Sequence, residues 1–240
     1  MYQRTTRHNL SLNLGLIGAL LLLFTIGCSG TPPLEQLKAQ LASAPDYSII
    51  FEDMQESGTF VPIYYHKYRI VQGDRAVTTD WMKVSKSVYQ SNEQFLGMTL
   101  ASKTADGVDS TAKPPGYGYV GNSQYGSWQQ GSGGSFWAFY GQYALMSNLL
   151  GMGRGTIYQR NYDTYRTHRT QGRPYYGPKN KSGTHKYGTQ GTVTKQTKST
   201  FFDRRVAKDR MKRASFQDKF KRRAGRSSFP SRGGGMGFGK

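Results

Sequence analysis

The residue types that most often perform catalysis are few in this chain and form no known catalytic pattern. Four histidines are present, and they are widely separated: His8, His66, His168 and His185. Three carboxylates, Glu52, Asp53 and Glu56, lie close together before a turn, but such a cluster is usually solvated. The single cysteine, Cys28, excludes an internal disulfide and a cysteine-based zinc site. We therefore expect no metal, no cofactor and no catalytic site, and we look for function in binding and attachment.

The segment around Cys28 has a chemistry of its own. Two arginines precede an uncharged, largely apolar run over residues 9–27, and this order is typical of an export signal. The run ends in the sequence LFTIGCSG, with Gly27 directly before Cys28. This ending resembles the lipobox of bacterial lipoprotein precursors. The resemblance is confined to the leader and its junction, and it implies that residues 1–27 are removed and that Cys28 carries lipid.

Lipidation would give the lone thiol of an exported protein a role, and each buried acyl methylene stabilises membrane attachment by about 0.8 kcal/mol. The alternative is an uncleaved transmembrane helix, because about eighteen apolar residues just span a bilayer. Both interpretations place the remainder outside the cytoplasm, since the positive charges before the apolar run favour the inner side. By the same resemblance, Ser29 after the cysteine implies an outer-membrane destination if the host is Gram-negative.

Charge divides the rest of the chain into two parts. Residues 29–150 carry 8 basic and 10 acidic side chains, whereas residues 151–240 carry 23 basic and 4 acidic ones. The second part therefore carries a charge equal to the whole net charge of +19, and it contains only nine Ile, Leu, Val or Phe in 90 positions. Low apolar content with high net charge does not offset the entropy of ordering a chain. We expect residues 151–240 to be a basic, low-complexity and largely disordered tail.

The most basic part of this tail is a candidate for binding an anionic surface. We assign that role to ten residues: Arg204, Arg205, Lys208, Arg210, Lys212, Arg213, Lys219, Lys221, Arg222 and Arg223. Apolar residues are interspersed among them, so the segment is expected to form a basic helix on contact with such a surface. Anionic lipid or an acidic envelope polymer is the expected partner, and nucleic acid is not. The alternative is a solubilising tail without a dedicated partner.

The stretch over residues 114–153 is unusual because it contains nine aromatic residues and no Asp, Glu, Lys, Arg or His. Three interpretations are open. The rings could form a core in which their polar tips find hydrogen-bond partners. They could lie at a membrane interface, where Trp and Tyr are enriched. They could also stack on sugar faces, and Trp128, Trp137 and Tyr140 are the candidates for interface or glycan contact.

These candidates need a folded body to position them, and residues 46–150 are expected to supply it. Residues 28–45 should form the anchor and a short helical spacer, since three leucines recur at helical spacing behind Pro33. The patterns predict these further elements: strands at residues 47–51, 59–71 and 95–101, helices beginning at Asp80 and spanning 136–150, and a long loop over 103–135. Strands combined with helices in this way predict a small α+β fold.

The sequence therefore predicts a lipid-anchored bacterial envelope protein with a structural or interaction role. The alternative is an envelope glycan-binding module or a glycan-active enzyme. A glycan-active enzyme would need two carboxylates facing one cleft, and residues 46–109 would have to supply them.

Overall fold

The computed structural model describes residues 30–58, 61–149 and 156–224, so the leader and Cys28 lie outside the described residues. Its helices are α1 (Pro33–Gln40), α2 (Lys86–Asn92), α3 (Leu145–Leu149), α4 (Gln159–Thr170), α5 (Thr192–Thr197) and α6 (Ser199–Ala224). Its strands are β1 (Tyr47–Ser57), β2 (Ile63–Gln72), β3 (Arg75–Thr78), β4 (Met82–Val84), β5 (Thr99–Thr104), β6 (Gly107–Asp109), β7 (Gly126–Gly131), β8 (Gly134–Phe139) and β9 (Ile157–Tyr158). The predicted α+β class is confirmed.

The larger sheet is antiparallel and has β1 at its centre. Its strand order is β3-β2-β1-β5-β6, and β4 also pairs with β2 beside β3. In the β1–β2 hairpin Ile49 lies opposite Ile70, and the register shifts between Phe51 and Asp53, which leaves Glu52 as a β-bulge. The predicted strands over residues 47–51 and 59–71 correspond to β1 and β2, so the β-rich composition of these segments was a sound guide.

The core lies against β1 and its neighbours. Ile49 and Phe51 are fully buried there, and so are Leu37 of α1 and Met98 before β5. The predicted helical spacer is thus a helix, but Leu37 joins the same core cluster as β1. Burying a leucine or phenylalanine side chain contributes about 1.5–3 kcal/mol, so α1 belongs energetically to the body.

The prediction of a helix over residues 136–150 is wrong, because Phe136–Phe139 lies in strand β8. The spacing of the aromatic residues over positions 136–143 is compatible with both a helix and a strand. Gly131 to Gly134 form the turn of a β7–β8 hairpin, and Trp128 lies opposite Trp137. A cross-strand aromatic pair stabilises a sheet by up to about 1 kcal/mol. The helical part is limited to α3, after a turn over Gly141–Tyr143.

The helix predicted to begin at Asp80 is also wrong. Residues 82–84 form β4, which pairs with β2 and buries Val84. The helix α2 begins later, after Ser85, whose Oγ accepts the backbone N–H of Val88 at 3.2 Å. A serine in this position supplies one of the hydrogen bonds that a helix start lacks, so it fixes where α2 begins.

The prediction of a largely disordered tail over residues 151–240 is wrong for residues 156–224, which form a strand, three helices and their connections. Tyr165, Tyr175, Tyr187 and Phe201 from this region are buried in the same core cluster as β1. Counting only Ile, Leu, Val and Phe had left out six tyrosines, whose rings bury as much area as a phenylalanine. The remaining residues of the predicted tail lie outside the described part.

None of the helices in residues 30–58, 61–149 and 156–224 is long and apolar enough to cross a membrane.

Tyrosine burial gives the fold a specific alkaline limit. Burial raises the pKa of Tyr89, Tyr143 and Tyr175 to about 12. It raises the pKa still further for five others: Tyr68, Tyr117, Tyr119, Tyr165 and Tyr187. In an unfolded chain tyrosine loses its proton near pH 10. The folded state therefore holds more protons than the unfolded state above pH 10, and stability falls as pH rises toward the folded pKa values.

We predict that these buried tyrosines ionise only as the protein unfolds. Phenolate absorbance should rise near pH 10 for exposed tyrosines, with the rest appearing at higher pH in one cooperative step that coincides with loss of circular dichroism. In concentrated urea all tyrosines should titrate together near pH 10. Complete titration near pH 10 with native circular dichroism would show that the tyrosine core is not formed.

Candidate functional site

The predicted basic segment forms helix α6, and one stripe of that helix packs on the body. Phe201, Arg204, Arg205 and Lys208 recur at i, i+3, i+4 and i+7, so they share one helix face. Phe201 is buried in the core, and the cations beyond it approach the carboxylates of the body. The stripe thus consists of one apolar anchor followed by charged contacts.

The cluster of Glu52, Asp53 and Glu56 on β1 is the partner of this stripe. Arg204 Nη2 lies 2.6 Å from Asp53 Oδ1, and Lys208 Nζ lies 2.8 Å from Glu56 Oε2. The β-bulge at Glu52 interrupts the alternation of β1, which allows neighbouring carboxylates to meet cations of the same segment. These carboxylates were expected to be solvated, but they form the acidic edge of β1 on which α6 docks.

Glu52 is the most enclosed member of this acidic edge. It accepts from Lys198, directly before α6, and its Oε1 lies 3.0 Å from Arg69 Nη2. Burial lowers the pKa of Lys198, and the adjacent carboxylate of Glu52 opposes that effect. For Glu56, the hydrogen bond from Lys208 is the main cause of a lowered pKa. The carboxylate of Glu52 thus partly offsets the cost of burying the Lys198 ammonium, and Lys208 favours the charged form of Glu56.

The ten predicted surface-binding cations divide into two groups. Arg204, Arg205 and Lys208 pair with carboxylates of the body, with Arg205 Nη2 lying 3.5 Å from Glu93 Oε1. The other seven make no ion pair with any described residue: Arg210, Lys212, Arg213, Lys219, Lys221, Arg222 and Arg223. The unpaired members of the ten all lie on residues 209–223, which we call the exposed half of α6.

The exposed half of α6 also carries apolar side chains in contact with solvent. Phe216 and Phe220 are 69% and 65% exposed, and their spacing of four residues places them side by side. The helix positions three or four residues from this pair include four cations: Lys212, Arg213, Lys219 and Arg223. Two adjacent exposed rings bordered by positive charge are typical of a helix that lies in a membrane interface.

The three aromatic residues predicted to contact an interface or glycan do not form one surface. Trp137 is 5% exposed, and its ring meets that of Trp128 edge-on at a centroid distance of 5.1 Å. Trp128 is half-buried and also contacts Tyr162. Tyr140 is 47% exposed. Burial of Trp137 and of several tyrosines from the same stretch favours the core interpretation of residues 114–153, and only Tyr140 of the three presents an open ring.

Lys113 forms a buried ionic cluster that the sequence did not reveal. Its Nζ lies 3.0 Å from Asp109 Oδ2, and Arg169 and the Tyr165 hydroxyl from α4 contact the same carboxylate. Burial lowers the pKa of Lys113 to about 8, and Asp109 opposes this effect. Burial works to raise the pKa of Asp109, but Lys113, the Thr111 N–H and Arg169 hold it below its usual value. The cluster fastens α4 to the end of β6.

The histidine expected to be structural occupies a closed position. His66 is fully buried against Phe51 and Tyr89, its Nδ1 lies 3.0 Å from the Tyr68 hydroxyl, and burial lowers its pKa to about 4. Across the described ranges there is no group of three or more His, Cys, Asp or Glu that could hold a metal ion.

Comparison with known proteins yields no match: no family model, no curated protein and no solved structure resembles this chain.

We predict that Glu52→Gln destabilises the fold by about 2 kcal/mol, because it leaves the mostly buried Lys198 without its counter-ion. The matched control is Glu56→Gln, which breaks the more exposed pair with Lys208 and should cost less than about 1 kcal/mol. Urea denaturation measures both changes in the free energy of unfolding. The slope of that free energy against urea concentration should be the same in the two variants and the parent protein. Equal losses of unfolding free energy in the two variants would show that the Glu52 contact does not stabilise the fold more than the Glu56 contact does.

Proposed function

We propose that this chain is a lipid-anchored protein of the bacterial envelope with a structural or interaction role, and that the exposed half of α6 binds an anionic lipid bilayer. The observation that carries the proposal is the pair of solvent-exposed phenylalanines, Phe216 and Phe220, bordered by cations that form no ion pair with the described residues. The leader and Cys28 supply the second attachment, through the resemblance to lipoprotein precursors.

The two ends of α6 would perform different tasks. The stripe that includes Phe201 and Arg204 holds the helix on the body, so the charges beyond it are presented on a helix of fixed direction. Each basic residue near an anionic membrane contributes about 1 kcal/mol of attraction. Seven unpaired cations are thus sufficient for binding without a specific pocket, and binding should weaken as salt screens them.

The exposed rings favour a bilayer over a soluble acidic polymer as the partner. A polyanion in water needs only the cations, and it offers Phe216 and Phe220 no apolar phase. At a membrane interface both rings can be buried in the acyl boundary, which stabilises binding by up to about 1.5–3 kcal/mol for each. Burial of two rings beside neutralised charges is therefore the contact that suits this helix best.

The glycan-active enzyme finds less support in this structure. It would need a pair of carboxylates facing an open cleft. Among the candidates from residues 46–109, Glu52, Asp53, Glu56 and Asp109 are each held by at least one cation within the described chain. Carboxylates neutralised in this way are suited to structure rather than to proton transfer.

We predict that the mature chain, residues 28–240, carrying Cys28→Ser and therefore neither leader nor lipid, binds vesicles containing phosphatidylglycerol through α6. Replacing Lys219, Lys221, Arg222 and Arg223 by Gln should weaken binding at least about tenfold, because four attractive charges are lost. Phe216→Ser with Phe220→Ser should give a similar loss, but with an unchanged salt dependence. Vesicle sedimentation at several salt concentrations measures these effects.

The matched control for this experiment removes four exposed cations elsewhere, by replacing Arg75, Lys83, Lys86 and Lys181 with Gln. It changes the net charge equally and should alter binding far less. Equal losses in both quadruple variants would show that net charge alone causes adhesion. Normal binding by the phenylalanine variant, together with tight binding to a soluble acidic polymer, would assign α6 to that polymer.

We predict that the native protein begins at Cys28 and carries acyl chains on it. Intact-mass spectrometry of membrane-extracted protein should give the mass of residues 28–240 plus lipid. Cys28→Ser should keep the leader and lose the added mass, because the modified thiol is absent. A native mass that includes the complete leader and a free thiol would favour a retained helix instead.

A further inference from the structure

A cleft of about 780 Å³ lies apart from the exposed half of α6 and has no role in the proposed function. One wall comes from α2 and the turn that follows it, with Gln90, Ser91 and Gln94. The other wall comes from the connection between α4 and α5, with Tyr176 and His185. Its size lies within the range of about 300–1,000 Å³ that is usual for small-ligand sites.

The connection that forms the second wall is held in a defined shape. Asn180 Oδ1 accepts the backbone N–H groups of Ser182 and Thr184, and the backbone N–H of Tyr187 donates to the carbonyl of Tyr176 at 3.1 Å. A segment with this many internal hydrogen bonds forms a wall whose shape is present before a ligand arrives. Little ordering entropy then remains to be lost on binding.

The two walls are joined at the base of the cleft by Thr189. Its Oγ1 donates to the carbonyl of Glu93 and accepts from the N–H of Leu96 at 3.2 Å, while its own N–H donates to the carbonyl of Gln94 at 3.0 Å. The preceding residue, Gly188, has a φ of +79°, and a Cβ there would lie 2.7 Å from the Tyr176 ring. Only glycine permits this close approach, so the ring of Tyr176 is fixed at the base of the cleft.

The polar groups in the cleft are mostly uncharged and available. The side-chain amides of Gln90, Gln94 and Gln190 and the hydroxyl of Tyr176 make no hydrogen bond with other described residues. Amides both donate and accept, and a phenol supplies a further polar group beside an aromatic face. This combination suits a ligand that has many hydroxyl groups and an apolar ring face.

The charges around the cleft argue against an ionic ligand. Glu93 and Arg205 line it, and they pair with each other at 3.5 Å. His185 uses its Nδ1 in a contact with the carbonyl of Gly177 at 3.1 Å. The formal charges of Glu93 and Arg205 therefore cancel within the cleft. A phosphate or carboxylate ligand would instead need an excess of cations there.

We propose that this cleft binds carbohydrate, as one or two uncharged sugar units with or without an N-acetyl group. The ring of Tyr176 stacks on Phe95 at a centroid distance of 6.0 Å and contacts His185 at 5.6 Å, so it offers a sugar its hydroxyl and the part of the ring that these contacts leave open. Gln90, Gln94 and Gln190 provide donors and acceptors for hydroxyl or acetamido groups. The inference does not depend on the binding of α6 to a membrane, because the two sites share no exposed phenylalanine or unpaired cation.

The test uses the mature chain with Cys28→Ser and neutral oligosaccharides of glucose and of N-acetylglucosamine, two to four units long, in isothermal titration calorimetry. We expect binding at millimolar ligand or below. Gln94→Ala with Gln190→Ala should weaken it at least about tenfold. Ser91→Trp should abolish it by filling the cleft. The matched control, Gln40→Ala with Gln217→Ala, removes two exposed amides elsewhere and should leave the affinity unchanged.

Absence of binding by every neutral oligosaccharide would overturn this proposal and leave membrane binding by α6 untouched. Binding that survives Ser91→Trp in a variant with native circular dichroism would also overturn it, because the sugar would then occupy another place. Binding only of acidic sugars, lost on replacing Lys219, Lys221, Arg222 and Arg223, would assign the carbohydrate to α6 rather than to the cleft.

Discussion

The contact between the acidic edge of β1 and the first turns of α6 determines how the basic C-terminal helix is placed on the body. A chain with a net charge of +19 repels itself, and without carboxylates at the right places its basic segment would stay extended in water. Glu52, Asp53 and Glu56 provide them, and Phe201 adds an apolar contact of about 2 kcal/mol. The more exposed pairs of Asp53 and Glu56 contribute only about 0–1 kcal/mol each, so they set the position and direction of α6 more than the stability of the fold.

The same contact explains why one end of α6 is available for another partner. The ion pairs with the body reach the helix as far as Lys208, and the cations beyond it form no ion pair with the described residues. Phe216 and Phe220 lie in that region and remain in water. The acidic edge is shorter than the helix, which has 26 residues. The edge therefore holds only the first part of α6, and the second part is left for the proposed membrane contact.

A tyrosine-rich core is the second feature that supports the fold. Tyr125 meets Tyr119 and Tyr143 edge-on at centroid distances of 5.0 and 4.9 Å. Their hydroxyls are not left without partners, since Tyr143 donates to Asp46 at 3.1 Å and Tyr125 accepts the N–H of Ala105 at 2.8 Å. Each ring thus contributes apolar area while its polar tip is satisfied, which explains how a long uncharged stretch supplies part of the core.

The sequence predicted the fold class and the β1–β2 hairpin because these depend on local composition and on turn residues such as Gly58, which follows β1 directly. The sequence did not predict elements whose structure depends on residues far away in the chain. The spacing of the aromatic residues around Trp137 is compatible with both a helix and a strand. Only the pairing with Trp128 in the β7–β8 hairpin selects the strand.

The acidic edge was visible in the sequence as a cluster, and the basic segment as a charge run. Their pairing across about 150 positions could not be derived from either one alone. The tyrosines of the basic region and the opposite charges of the two segments are the signals in the sequence that point toward this contact. The ten cations are visible in the sequence as a basic group, but their division into paired and unpaired members required the structure.

Hydrogen–deuterium exchange along α6 tests the central claim most directly. The account predicts slow exchange for the amides of residues 202–209, which the body holds, and faster exchange for residues 214–223. Vesicles containing phosphatidylglycerol should then protect residues 214–223 and leave the first group unchanged. Fast and uniform exchange over all of residues 199–223, with or without vesicles, would show that the acidic edge of β1 does not hold this helix, and the account would fail.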